Sequence, residues 1–276
     1  MDGGSIGRVR VIQIDTLHGS ARAHLRTAKE PRAALILGHG AAGGVDAPDL
    51  TTASRAAAAE RISVALVEQP YRVAGRRSPP RAPQLDADWL TVVERLRDRE
   101  LHGLPLIVGG RSLGARVACR TAETTGAIAV LCLAFPLEPP SRAGKPRQNR
   151  LAELEAVKVP TLVVQGERDP FGMPPPGRFR QVVKVPGDHG LKADLELVAA
   201  TVQAWLASVP AEAALVVARL SQSWRAALHA AAPTEEGITA AQAMFGEAPF
   251  GSRDDFAGLS RWELWQATFR RWPSVP

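Results

Sequence analysis

Gly110-Arg111-Ser112-Leu113-Gly114 spells G-x-S-x-G, the pattern of a turn that lifts a nucleophilic serine off a strand end and onto the start of a helix. Glycine at the flanking positions lets the backbone bend without a Cβ clash, and a helix N-terminus favours negative charge beside the serine. An apolar run over residues 104–108 precedes the motif and a helical pattern over 115–124 follows it, which is the context this chemistry requires. The plainer account of the same residues is a glycine-rich turn whose serine caps the helix.

A serine nucleophile needs a base, and an acid to orient that base, and after a turn of this kind they follow in the order serine, acid, histidine. Of the six histidines, only His189 and His229 lie beyond Ser112. His229 falls in the alanine-rich stretch 224–232, where a solvated helix position is expected. His189 stands in Pro186-Gly187-Asp188-His189-Gly190, after the apolar run 182–185, and Asp169 takes the equivalent place one strand earlier, in Gln165-Gly166-Glu167-Arg168-Asp169-Pro170. Parallel strands bring such ends to one side of a sheet. Glu167 competes with Asp169 for the acid, whereas Asp188 adjoins His189 and is poorly placed to brace its ring. Taken singly, Asp169 reads as a turn residue before proline and His189 as a surface loop residue. Together, and in the required order, they read with Ser112 as a catalytic triad.

Acyl transfer also needs N–H donors where the oxyanion develops. These map to Leu113 and to the loop Gly38-His39-Gly40-Ala41-Ala42-Gly43-Gly44, with Ala41 expected to supply the second donor. The same loop spells G-x-G-x-x-G after a strand, with Glu68 where a ribose-binding acid would stand. Against a dinucleotide site, Asp46 and Pro48 read as a helix cap and first turn beyond the glycines, and Ser112, Asp169 and His189 would be left without a role. H-E-x-x-H, EF-hand and Walker A patterns do not occur, so no metal or other cofactor is expected.

The scaffold these residues need is legible in the apolar pattern. Residues 9–14 and 21–25 alternate across a His18-Gly19-Ser20 turn, which predicts an antiparallel pair. Short continuous apolar runs follow at 33–37, 64–67, 104–108, 128–133, 161–164 and 182–185. Such runs suit strands buried on both faces. Segments of helical period at 48–61, 85–99, 112–124 and 193–206 would cover those faces. The expectation is a doubly wound, mostly parallel eight-stranded α/β sheet over residues 8–208 with helices on both faces. Only residues 135 to about 158 separate the sixth strand from the seventh, so no large lid is expected and small, soluble substrates are.

Composition agrees. The chain has 276 residues, 45% apolar and 22% charged, values that exclude collagen-like, wholly disordered or membrane-spanning chains. Cys119 and Cys132 lack metal or disulfide-framework spacing, and residues 1–11 lack the apolar core of a signal peptide. A reducing, cytoplasmic setting is expected. Lys and Arg number 34 against 28 Asp and Glu, a net +6. The basic clusters Arg72, Arg76, Arg77, Arg81 and Arg142, Lys145, Arg147, Arg150 lie in Pro/Gly-rich loops without interleaved aromatics. They read as solvated loops, so neither nucleic acid nor membrane is an expected partner.

Leu37-Gly38-His39-Gly40-Ala41, Glu68-Gln69-Pro70-Tyr71-Arg72, the elbow from Gly109 to Arg116, Phe135-Pro136-Leu137, the segment from Gln165 to Gly172 and Gly187-Asp188-His189 together resemble the dienelactone-hydrolase-like α/β-hydrolases. Within them the chain is similar to small bacterial hydrolases related to a vertebrate testis-expressed protein and to a subunit of a histone-acetylating complex. The resemblance implies a serine hydrolase acting on a small ester or thioester, with Ser112 as nucleophile, Asp169 as acid and His189 as base. It puts His39, Phe135 and Leu137 at the substrate. The pattern departs at Glu138, where relatives carry histidine, and at Gly190, where they carry serine. The vertebrate relatives also imply an alternative, a non-catalytic interaction protein that keeps the fold. Arg111 and Arg116 could face an anionic substrate group or pair structurally with Glu68 or Glu167, and the structural role is favoured.

Residues 209–276 fall outside the resemblance and read as a partly helical extension. They hold four of the six tryptophans and four of the seven phenylalanines. Trp262, Trp265 and Phe269 recur at i, i+3 and i+7, one face of a helix over 260–271. All strands of the sheet are complete before this extension. A chain ending near Ala211 is therefore expected to unfold cooperatively in denaturant and to react with a fluorophosphonate as the full chain does; insoluble or unreactive truncated protein would show the extension to be integral.

Overall fold

The computed structural model describes residues 9–139 and 149–209. The aromatic face at 260–271 and the basic positions 142, 145 and 147 lie outside the described residues. Strands β1 (Arg10–Thr16) and β2 (Gly19–Arg26) form the expected antiparallel hairpin, paired from Arg10↔Leu25 to Thr16↔Gly19. The remainder alternates: β3 (Ala33–Gly38), α1 (Pro48–Ala59), β4 (Ile62–Glu68), α2 (Pro70–Val73), α3 (Ala82–Asp98), β5 (Leu106–Arg111), α4 (Leu113–Thr125), β6 (Ala129–Leu133), α5 (Leu151–Glu155), β7 (Thr161–Gly166), β8 (Arg180–Val185) and α6 (Leu195–Ser208). The sheet order is β1-β2-β4-β3-β5-β6-β7-β8. β2 runs antiparallel to β4, and every pairing from β4 through β8 is parallel.

Because β3 has neighbours above and below, consecutive residues point into two different cores. Leu35 and Leu37 join Leu50 and Ala57 of α1 and Val198 and Leu206 of α6. Ile36 joins Trp89 and Val92 of α3 and Val117 and Ala118 of α4 on the other face. Leu35, Ile36 and Leu37 are all fully buried, worth about 1.5–3 kcal/mol each against exposure. This double burial is why the inner strands read as continuous apolar runs; β8, at the sheet edge, exposes Gln181 and Lys184 and half-buries Val182 and Val183, so the expectation of burial on both faces fails there.

Local corrections have local causes. The N-cap of α1 is Ala47, without a side-chain capping bond, so Asp46 is not its cap; Pro48 in the first turn supplies the start signal. β5 extends past its apolar run through Gly109, Gly110 and Arg111, because glycine there is required by contact rather than by hydrophobicity. A Cβ on Gly109 would overlap the Leu131 carbonyl of β6. Helices α2 and α5 have four and five residues, too few to show a helical period. Between β6 and β7 the described residues hold only α5, and no large lid is present among the described residues. The basic residues Arg76, Arg77 and Arg81 are exposed in the loop before α3.

Parallel order places the ends of β3, β5, β7 and β8 along one sheet edge, and these carry the Gly38–Gly44 loop, Ser112, Asp169 and His189. Helix α4 passes so close to β3 that a Cβ on Gly114 would overlap the Gly38 carbonyl, and one on Gly110 would meet the same oxygen at 2.5 Å. Gly114→Ala is therefore expected to destabilise the domain by about 1–3 kcal/mol through overpacking. Its denaturant midpoint should fall with the slope unchanged.

Candidate active site

Ser112 occupies φ 52°, ψ −106° between β5 and α4, a strained conformation costing about 1–3 kcal/mol that persists only where surroundings enforce it. Here its amide donates to the Leu133 carbonyl (2.9 Å) and its carbonyl accepts from the Arg116 amide (3.2 Å). Although Ser112 sits at the N-cap of α4, its side chain makes no capping bond. Its Oγ lies 2.9 Å from His189 Nε2, so the geometry goes against a simple helix cap.

His189 Nδ1 lies 2.8 Å from Asp169 Oδ2. A carboxylate accepts there, which assigns the ring proton to Nδ1 and leaves Nε2 to accept the serine hydroxyl. Asp169 is buried, and its Oδ1 accepts from the Phe171 amide at 2.9 Å. The Phe171 ring covers the imidazole with centroids 4.3 Å apart. Glu167 is exposed, and Asp188 Oδ1 accepts from the Gly190 amide in its own loop; the carboxylate on His189 is that of Asp169.

Leu113 is the first residue of α4, where an amide has no acceptor within its helix. The Gly38–Gly44 loop is joined to the same turn by a bond from the Gly114 amide to the His39 carbonyl (3.1 Å). The Tyr71 hydroxyl donates to the Ala41 carbonyl (2.8 Å).

Residues 31–194 match the family model described as an alpha/beta hydrolase domain. The chain belongs to the α/β-hydrolases. Its fold recurs in solved structures. These include an α/β serine hydrolase described as lacking a lid, XC6422 from Xanthomonas campestris (18% identity, 74% of this chain and 95% of that one, TM-score 0.58). Est1E from Butyrivibrio proteoclasticus (16%, 71% and 97%, TM-score 0.58) and a dienelactone hydrolase from Anabaena variabilis (14%, 72% and 96%, TM-score 0.55) share it too. The resemblance to the dienelactone-hydrolase-like group extends to the fold. Comparison with curated proteins gives no match.

The three residues expected at the substrate, His39, Phe135 and Leu137, are all buried. His39 is 2% exposed, and both ring nitrogens serve the backbone. Nδ1 donates to the Gly40 carbonyl (2.8 Å) and Nε2 accepts from the Gln69 amide (3.1 Å). The first bond holds the Gly40–Ala41 peptide by its oxygen, and in a trans peptide the Ala41 N–H then points the opposite way. Phe135 is fully buried, with its carbonyl bonded by Gln165, and Leu137 is buried against Gly172. They support the Asp169 loop from behind.

Arg111 pairs with neither Glu68 nor Glu167. Its Nε lies 2.8 Å from Oδ2 of Asp49, a fully buried residue of α1, and its Nη2 donates to the His189 carbonyl at 2.9 Å. Asp49 was not legible as a site residue, because only the fold brings α1 to the elbow. Burial pushes its carboxyl above the ordinary range while Arg111 pulls it back. Arg116 binds Glu153 of α5 through two nitrogens (2.8 and 2.5 Å), and Glu68 accepts from or pairs with His24 at 3.0 Å. A cavity of about 550 Å³ opens beside His189, lined among others by Arg111, Arg168, Pro170 and Lys192. Among the described residues no cluster of His, Cys, Asp and Glu could hold a metal, and no helix is long and apolar enough to cross a membrane.

Desolvation lowers the His39 pKa from 6.5, outweighing the bond to Gly40. The unfolded chain therefore binds a proton that the native chain refuses as pH falls below about 6.5, and stability is lost in that direction. Wild type should lose unfolding free energy between pH 7 and pH 5 faster than His39→Asn, by up to about 1.4 kcal/mol per pH unit. Equal slopes in paired denaturant titrations would show that His39 titrates freely in the fold.

Proposed function

We propose that this α/β-hydrolase cleaves a small ester or thioester through an acyl-enzyme on Ser112. The observation that carries the reading is the unbroken hydrogen-bonded series Ser112 Oγ, His189 Nε2, His189 Nδ1, Asp169 Oδ2, at 2.9 and 2.8 Å. Ser112 Oγ attacks the carbonyl carbon as its proton passes to His189 Nε2. Asp169 holds the Nδ1–H and stabilises the imidazolium, and the amides of Leu113 and Ala41 receive the oxyanion. The imidazolium returns its proton to the departing alcohol or thiol. Water then attacks the acyl group with His189 as base, and Ser112 is regenerated.

The short connection from β6 to β7 leaves no multi-helix cap, which supports small, soluble substrates over lipid interfaces. The buried, free thiols Cys119 and Cys132, 3.5 Å apart, support a reducing, cytoplasmic setting. A fluorophosphonate should label native protein, and Ser112→Ala should abolish labelling and lower ester turnover by at least about 10³-fold. Among p-nitrophenyl esters, short acyl chains should give the higher kcat/KM. Unlabelled native protein would instead favour the non-catalytic interaction protein, and preference for long chains would overturn the substrate class.

A further inference from the structure

We infer that Gln165 is a positioning residue of the triad, its side-chain amide holding Asp169 Oδ2 in line with the His189 Nδ1–H; the inference rests on the Ser112 reading above. Gln165 lies near the end of β7, preceded by Leu162, Val163 and Val164, and like them it is fully buried. Its Nε2 lies 2.8 Å from Asp169 Oδ2, 3.1 Å from the Phe135 carbonyl and 2.9 Å from the Gly172 carbonyl. Two N–H hydrogens therefore face three acceptors. Its Oε1 is buried without a hydrogen-bond partner. Turning the amide over would set that oxygen against two carbonyls and a carboxylate, so the orientation is fixed by its surroundings.

A buried Oε1 without a partner costs stability, and the amide's bonds to two backbone carbonyls and a carboxylate offset that cost. What the amide does supply is a second anchor for the carboxylate. The Phe171 amide holds Oδ1, and a carboxylate held by one oxygen can still turn about its Cβ–Cγ bond. Gln165 holds the other oxygen, the one that faces His189. It also ties the Phe135 segment after β6 to the Gly172 turn, so the loop carrying Asp169 is braced on both sides. The imidazolium exists only once Ser112 has begun to lose its proton. Loss of this alignment should therefore lower kcat and leave KM nearly unchanged.

Two variants test this. Gln165→Met keeps length and removes the donor; Gln165→Glu keeps shape and removes the amide hydrogens. Both are assayed per active site, counted by fluorophosphonate titration, so that poorly folded protein does not enter kcat. Gln165→Met should lower kcat on the order of 10- to 100-fold with KM within about twofold. In Gln165→Glu the introduced carboxyl lies against Asp169, and two carboxyls at that distance share a proton. While protonated it can donate to Oδ2; as pH rises the proton is lost and activity falls with it. The kcat profile should gain an ionisation that wild type and Gln165→Met lack. Wild-type kcat per site and an unaltered pH profile in these variants, or a lower site count alone, overturn the inference and leave Ser112 intact. Native protein that fails to label at Ser112 overturns both.

Discussion

No side chain separates strand β3 from helix α4 where Gly38 meets Gly114, and the geometry of the site depends on that contact. With the two backbones touching, the Gly114 amide reaches the His39 carbonyl, and the loop after β3 begins beside Ser112. Gly110 passes the Gly38 carbonyl without a Cβ, which lets the chain leave β5 and enter α4 within one residue. That residue is Ser112, in a conformation rarely adopted by non-glycine side chains. The strain is tolerable because the amide before it, the carbonyl after it and the helix beyond are all held. A side chain at the contact would push α4 outward and separate Ser112 from the Gly38–Gly44 loop.

Asp169 and His189 arrive on separate loops, and backbone bonds set the distance between those loops. The Glu167 amide donates to the Val185 carbonyl and the Arg168 amide to the Gly187 carbonyl, both at 2.9 Å, so the β7 pairing with β8 continues past the strands. Gly166 lies against the Asp188 carbonyl too closely for a Cβ. Asp169 and His189 then face each other across a stiff double loop. Arg111 joins this unit to the elbow, one nitrogen on the His189 carbonyl and another on Asp49 of α1. A buried ion pair is a doubtful source of stability, but one whose arginine also bonds the His189 carbonyl fixes where that residue stands.

Much of this is legible in the amino-acid sequence. Strands covered on both faces must be apolar throughout, so their runs announced themselves, and the order serine, aspartate, histidine at strand ends followed from connectivity. What escaped was settled by packing between distant segments. The Asp49 partner of Arg111 depends on α1 crossing the elbow, and the burial of His39 depends on α2, a helix too short to leave a period. Gln165 did carry a signal, a single amide in a strand whose neighbours are apolar and fully buried. Composition counts could not reveal it, because its meaning lies in the three acceptors around Nε2.

His39 and His189 show how environment divides one residue type into two roles. Each donates from Nδ1 to an oxygen and accepts at Nε2, so the tautomers agree. The difference lies in the group that donates to Nε2. For His39 it is the Gln69 amide, which keeps its proton at any ordinary pH, and burial further opposes a charged ring. For His189 it is the Ser112 hydroxyl, which in the proposed reaction releases its proton as oxygen bonds to a carbonyl carbon, while the oxygen on Nδ1 belongs to a carboxylate able to balance the imidazolium. A histidine can act as a base only where its donor can part with a proton and its acceptor can carry the charge. In this site only His189 meets both conditions.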